Sequence, residues 1–343
     1  MPIEPFSPLD AHDPRYVTPP QPGGVRLADL LARSLSPIAV TGHAGLGKST
    51  ELRRSLADLP DNMPGILVNV AAPCNPEHVL YDIATSCVEY WVQHGPEQQP
   101  SPFLVEDLRA SDPSFSQGRG RTLKPDAICL AALDELVGAY DLGPHDVQRI
   151  VLLVDGVDRL PADAARRVML QLLKLRPFAA VAVVTSQGAV TGPNARQVLH
   201  HYRVMAISPV DVGDADVVSF LCACAASHLG DQDQVSEELQ RIAAEHSGGV
   251  LRTMLSLVKD ACSYADDQVD ADALELAIAD QVERVRRLIC DGDRDVLKAA
   301  DGRDGLEVPV ERKARLLDQG LLFEYGMAEA TICRISPLVR RLL

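Results

Sequence analysis

An apolar run, Pro37-Ile38-Ala39-Val40-Thr41, leads straight into Gly42-His43-Ala44-Gly45-Leu46-Gly47-Lys48-Ser49, after which Thr50 and helix-forming residues continue to about Asp58. The loop matches G-x-x-x-x-G-K-[ST] at every fixed position, and a short buried strand before it with a helix after it is the context in which that spacing has a mechanism. Glycines let backbone N–H groups close around phosphates, and the start of the helix adds its partial positive charge. Lys48 is placed to reach β- and γ-phosphates, and the Ser49 hydroxyl to hold magnesium. Residues Gly42 to Thr50 are therefore the expected binding loop for a nucleoside triphosphate, ATP with magnesium. The alternative is a chance glycine-rich turn, and the flanking strand and helix weigh against it.

The rest of the chain supplies a sheet for such a loop. Short apolar runs at Gly65–Val70, Ile150–Val154, Ala180–Val184 and Arg203–Ile207 read as further strands. Helical patterns separate them, near Val25–Ser34, Glu77–Val92, Asp126–Tyr140 and Ala162–Leu175. This alternation predicts an α/β fold with a parallel sheet covered by helices on both faces, over about residues 25–209. Seven prolines in residues 1–24 read as an extended arm. Residues 95–125 are polar and broken by Pro and Gly, so they read as an insertion or mobile loop. From about 210 to 280 the pattern is helical, a candidate lid. From 281 to 343 it reads as two helices (Arg294–Ala300, Val310–Asp318) and a strand pair (Leu321–Tyr325, Thr331–Ile335) turning at Gly326.

Composition excludes several classes. With 46% hydrophobic and 24% charged residues, 343 residues hold ample core for two domains. Aromatic residues make up only 4%, which argues against a base-stacking platform. A net charge of −15 disfavours whole-surface contact with nucleic acid, a local basic patch aside. The eight cysteines form no CxxC pair and have no histidines at zinc spacing; scattered thiols suit a reducing, cytoplasmic setting. No apolar stretch reaches the ~18 residues of a membrane helix, and Met1-Pro2-Ile3-Glu4-Pro5 lacks the pattern of a signal peptide.

A second acid is needed for the metal. Asp155 supplies it, at the carboxyl end of an apolar strand, where ligands of parallel sheets bind. Asp158 is the nearest carboxylate suited to polarise an attacking water, and equally suited to cap the helix that starts near Pro161. Thr185 and Ser186 close the fourth strand, where a hydroxyl either senses the γ-phosphate or caps the strand end. Arg196, just before the fifth strand, is either an arginine finger toward a neighbouring subunit or solvated surface. Val250, Leu251, Met254, Leu255, Leu257, Val258 and Ala261 form a helical apolar stripe, and Arg252 falls off its centre. It is either a cation for the triphosphate or an ordinary polar-face arginine.

These residues resemble the AAA+ and STAND branches of P-loop ATPases. Val154-Asp155-Gly156-Val157-Asp158 looks like the second acidic motif of STAND proteins, with a small residue after the metal-binding aspartate. Ser247-Gly248-Gly249-Val250-Leu251-Arg252-Thr253-Met254-Leu255 looks like the AAA+ lid motif, whose arginine meets the phosphates. Ile207-Ser208-Pro209 is similar to the proline turn that meets adenine in these families, and Tyr16-Val17 stands where relatives line the base pocket. The resemblance implies that residues 281–343 form a winged helix, as in origin-recognition ATPases. It also implies a slow ATPase, because Gly156 replaces the glutamate that often follows the metal-binding aspartate.

Charge bears on the partner. Residues 281–343 carry 12 Lys/Arg against 11 Asp/Glu, hence +1, while the other 280 carry 21 against 37, hence −16. A winged helix that grips DNA is visibly basic, so this near-neutral one favours protein contact. The leading expectation is an ATP-driven switch, able to form nucleotide-dependent homo-oligomers, that controls a partner protein in signalling or bacterial defence. The second is a DNA-associated AAA+ loader or transposition regulator, disfavoured by charge. A small-molecule kinase is the third, and it leaves the C-terminal helices unexplained.

Overall fold

The computed structural model describes residues 13–17, 26–70, 76–95, 99–111, 124–141, 147–191, 194–229, 235–265, 268–300, 310–325 and 332–343. The chain divides into two compact units, one formed by Val25–Thr41 and Glu51–Met205 and the other by Met1–Gly24, Gly42–Thr50 and Ala206–Leu343.

The first unit is built on a five-stranded sheet. In chain order the elements are α1 (Leu27–Arg33), β1 (Ile38–Thr41), α2 (Lys48–Ala57, entering from the glycine loop), β2 (Gly65–Asn69), α3 (Pro76–His94), α4 (Pro102–Ala110), α5 (Pro125–Asp141), β3 (Ile150–Asp155), α6 (Ala162–Leu172), β4 (Ala179–Val184), α7 (Gln187–Thr191), α8 (Arg196–Leu199) and β5 (Arg203–Ala206). The strand order is β2-β3-β4-β1-β5, and the pairings β2–β3, β3–β4 and β1–β4 are all parallel.

Every residue of β1, β3 and β4 is buried, as a sheet covered on both faces requires. Because side chains alternate across the pleat, Ala39, Leu152, Val154, Val181 and Val183 share a face with the large core under α3, α5 and α6, which also takes in Trp91, Leu133 and Met169. Ile38, Val40, Val151, Leu153 and Ala182 are buried on the opposite face, and α1 packs against β4. A Leu152→Ala change in such a core costs about 2–5 kcal/mol.

Register fixes the functional edge. Asn69 pairs with Asp155, Val154 with Val183, and Val40 with Val184, so Asp155, Thr185 and Thr41 all close strands at the carboxyl end of the sheet.

One expectation changes here. Residues 95–125 were expected to be a polar loop, but Pro102–Ala110 is a helix. Ser101 caps it by accepting a hydrogen bond from the Leu104 amide at 3.2 Å, and Pro102 occupies its first turn, where a missing N–H costs nothing. Leu104 and Leu108, four apart, are buried in the main core. A single apolar face on nine residues was too short a period to stand out against the prolines. The remainder of that segment, 112–123, lies outside the described residues, as do most of the expected arm and the expected turn at Gly326.

The second unit holds the glycine loop and helices α9 (Ala215–Leu229), α10 (Glu237–Ser247), α11 (Leu251–Tyr264) and α12 (Ala271–Arg286). These pack on a core of Leu221, Leu239, Met254, Leu257, Val258, Leu274 and Ile278, among others. After them come α13 (Asp293–Ala300), α14 (Val310–Asp318), an antiparallel pair β6 (Leu322–Tyr325) and β7 (Ile332–Ile335), and α15 (Pro337–Arg340). This last module has its own small core, which includes Leu297, Leu316, Leu317, Leu322 and Ile335. Asp293, 1% exposed, ties α13 to α14 through Arg315.

Candidate functional site

The glycine loop has the backbone its sequence demands. Gly42, Gly45 and Gly47 have φ of +147°, +89° and +86°, a region that side chains rarely adopt. Two of these glycines also lack room for a side chain. A Cβ on Gly42 would lie 2.3 Å from the Ile207 carbonyl oxygen, and one on Gly45 would lie 2.5 Å from Cβ of Arg252. Gly47 by contrast faces open space.

Lys48, only 6% exposed, folds back over the loop and donates to the carbonyl oxygens of Gly42 at 3.0 Å and His43 at 3.1 Å. A buried ammonium is costly unless its donors are satisfied. Here the loop's own carbonyls satisfy two of them, which holds the cation beside the cradle. Ser49 and Thr50 begin α2 half-buried, and Ala44 is exposed while Leu46 is half-buried.

In the same unit, the start of α11 meets this loop. The Arg252 side-chain stem crosses Gly45, its amide points at the Gly45 carbonyl at 3.4 Å, and the residue as a whole is exposed. Gly248 and Gly249 precede the helix with φ of +63° and +81°. A Cβ on Gly249 would sit 1.9 Å from the Val210 carbonyl oxygen, and the Val210 amide donates to the Gly249 carbonyl at 3.3 Å. Pro209, the chain neighbour of Val210, is buried. Gly249→Ala is expected to destabilise the protein by about 1–3 kcal/mol, read as a lower thermal midpoint; an unchanged midpoint would show that the turn relaxes freely.

His43 also has partners that sequence reading missed. Its ring meets Phe323 of β6 edge-on, with centroids 5.5 Å apart, and lies on the backbone turn at Gly320. Burial first, then the Lys48 charge, and to a lesser extent the Arg252 charge push its pKa down to about 4, a backbone contact with Ala44 partly opposing them.

Tyr16 and Val17 are half-buried in this unit. Their segment is anchored by the Arg15–Asp13 ion pair at 2.6 Å and by the Ser227 hydroxyl of α9, which donates to the Arg15 carbonyl at 2.9 Å.

In the sheet unit, Asp155 closes β3 and is 6% exposed. The Val70 amide donates to its carbonyl at 2.9 Å, which extends the pairing to the end of the strand. Gly156 follows with φ +91°, and a Cβ there would lie 2.9 Å from the Val70 carbonyl oxygen. That backbone leaves no room for a glutamate at position 156. Asp158 lies in a single 3-10 turn, Val157–Arg159, half-buried. It is not the helix cap: α6 has Pro161 at its N-cap position with no side-chain cap.

The two hydroxyls after β4 separate in role. Ser186 accepts from the Ala189 amide at 3.3 Å and so caps α7. Among the described residues, the fully buried Thr185 has no hydrogen-bond partner for Oγ1, and neither does Thr41 at the end of β1. A buried hydroxyl without a partner costs about 1–3 kcal/mol, so these two, at the carboxyl edge of the sheet, are candidates for contact with a ligand or water. Thr41 was missed in the sequence; the signal was a polar residue ending an otherwise apolar strand. Arg196 starts α8 and is exposed.

No family model matches the chain, and no curated protein matches it. Among solved structures, it is similar to the Thermotoga maritima RuvB Holliday junction branch migration motor, with 14% identity and a TM-score of 0.43, covering 92% of this chain and 91% of that one. It is also similar to the Aeropyrum pernix ORC2 protein in its ADP form, with 15% identity and a TM-score of 0.47, covering 92% and 88%. The α/β assignment stands on the parallel sheet and the glycine loop themselves. Among the described residues no helix is long and apolar enough to cross a membrane.

Proposed function

We propose that the chain is an AAA+/STAND-type nucleotide switch that holds ATP with magnesium and controls a partner protein. The observation that carries this reading is the loop itself. Its glycines occupy positive-φ positions, the buried Lys48 is fixed beside the cradle, and the stem of Arg252 lies across Gly45. The loop's own groups suit the ligand: backbone N–H groups and Lys48 for the phosphates, and the Ser49 hydroxyl as an oxygen ligand for magnesium; Asp155 is read as the metal's carboxylate. When bound, magnesium neutralises phosphate charge and polarises the γ-phosphoryl group.

The chain's own residues do the rest. Lys48 and Arg252 counter negative charge on the triphosphate. The Thr185 hydroxyl is available to orient a γ-phosphate oxygen or a water. Asp158 is the carboxylate available to take a proton from water. Pro209, with Tyr16 and Val17, borders the base. Turnover is slow, because the backbone at Gly156 excludes a glutamate that would be the obvious base. Residues 281–343 are read as a winged helix, near neutral in charge and so suited to a protein partner. Arg196, exposed on α8, is read as the residue offered to a neighbouring copy.

Native mass measured with and without ATP–magnesium tests the switch. The expected result is a larger species only with triphosphate, absent in Lys48→Ala. An unchanged mass would overturn the self-assembling form of this reading and leave a switch whose partner is a different protein.

A further inference from the structure

The phosphate loop is braced at His43 by the C-terminal hairpin, and nothing in the nucleotide reading requires that. His43 occupies one of the four variable positions of the loop, where the ring plays no part in cradling phosphate. Its backbone does, because the His43 carbonyl accepts one of the two hydrogen bonds that fix Lys48. Whatever sets the conformation of His43 therefore sets where Lys48 stands.

Three facts show that the hairpin sets it. Gly320 has φ +68°, and a Cβ there would lie 2.1 Å from Nε2 of His43, so the imidazole rests directly on that backbone. Phe323, 4% exposed, presents its ring to His43 at 5.5 Å. Finally, Phe323 lies on the opposite side of β6 from Leu322, which belongs to the module's own core. A Phe buried on that face is buried against something other than its own module. It also lies against Gly248, where a Cβ would meet the Phe323 ring at 2.7 Å, and Tyr325 on the same face, whose ring meets that of Phe323, donates to the Gly248 carbonyl at 2.7 Å. One face of the hairpin thus grips both the loop, at His43, and the glycine turn that opens α11.

We infer that Phe323 and Gly320 are positioning residues for nucleotide binding: they hold His43, and through its carbonyl Lys48, in the cradle geometry. This rests on the reading of the loop as a nucleotide site. Preorganisation of this kind raises affinity by lowering the cost of ordering the loop. It acts on the diphosphate and the triphosphate alike, because the ring touches neither. Among the described residues, the charged groups that shift His43 are Lys48 and Arg252, and both disfavour an imidazolium. Gly320 and Phe323 bring no counter-charge, so the braced ring is neutral.

The test is Phe323→Ala in the full chain. Two readouts are taken: the Kd values for ADP and ATP by fluorescent-nucleotide competition, and the His43 imidazole titration by NMR without nucleotide. An edge-to-face ring contact of about 0.5–1.5 kcal/mol converts to an expected weakening of about 2- to 12-fold, shared by both nucleotides. The His43 titration is expected to move from about 4 up toward its ordinary 6.5. A variant that weakened binding by a route other than His43 would leave that titration in place.

If Phe323→Ala does not fold, Phe323→Leu keeps an apolar side chain without the ring edge and is expected to act in the same direction. Unchanged Kd values overturn the inference, whether or not the His43 titration moves. So does an unmoved titration with weakened binding. If the wild-type chain binds no nucleotide, the nucleotide reading and the positioning role fall together. A shifted His43 titration would then still show that the hairpin braces the loop.

Discussion

Lys48→Ala is expected to weaken binding of ATP–magnesium by about 100- to 1,000-fold while leaving the fold intact. The magnitude follows from what the ammonium does. Two charge-assisted hydrogen bonds to phosphate oxygens at about 1.5–3 kcal/mol each sum to about 3–6 kcal/mol, and the lower part of that range, about 3–4 kcal/mol, applies because Lys48 already donates to Gly42 and His43. The fold should tolerate the change because the His43 carbonyl is part-buried, where water replaces the donor, and the buried Gly42 carbonyl that loses one costs only about 1–3 kcal/mol. Equilibrium titration with a fluorescent ATP analogue, alongside the thermal midpoint of the free protein, checks both halves. Equal affinity in the variant would show that the lysine does not face the phosphates.

The second large effect is expected at Asp155. Asp155→Asn preserves the size of the side chain and removes its charge. ADP affinity without magnesium should change less than about threefold, since nothing in that state needs the carboxylate. ATP turnover with magnesium should fall by roughly two orders of magnitude, because a neutral amide is a poor ligand for a hard dication. Steady-state phosphate release against magnesium concentration separates these outcomes. A variant with the same turnover and magnesium dependence as wild type would remove Asp155 from the metal site. The backbone limits any rescue from a neighbour, because a side chain at Gly156 would press on the Val70 carbonyl oxygen.

Much of this was legible in the sequence for one physical reason. Strands buried on both faces must be apolar throughout, so Ile150 to Val154 and Ala180 to Val184 read as strands, and each ends in a polar residue at the functional edge. The loop was legible because glycine spacing is dictated by φ, which the structure shows as positive values at Gly42, Gly45 and Gly47. Helices α13 and α14 and the strand pair also lie where periodicity put them.

Three features were not legible. Helix α4 hides because its buried face is only Leu104 and Leu108 among prolines. The glycine at 156 looked like a missing catalytic acid; the structure adds that backbone geometry requires glycine there. The brace on His43 joins residues some 280 positions apart in sequence, and only three-dimensional packing brings Phe323 and Gly320 to that ring. Asp158 is the converse case. Its type suited a helix cap equally well, and the structure gives the cap position to Pro161.

The central claim is that the loop from Gly42 to Thr50 binds a nucleoside triphosphate. Isothermal titration of the full chain with ATP, with and without magnesium and with Lys48→Ala in parallel, tests it most directly. Saturable binding of one nucleotide per chain is expected, tighter with magnesium and lost in Lys48→Ala. Absence of saturable heat at millimolar ATP, or equal binding by Lys48→Ala, would contradict it.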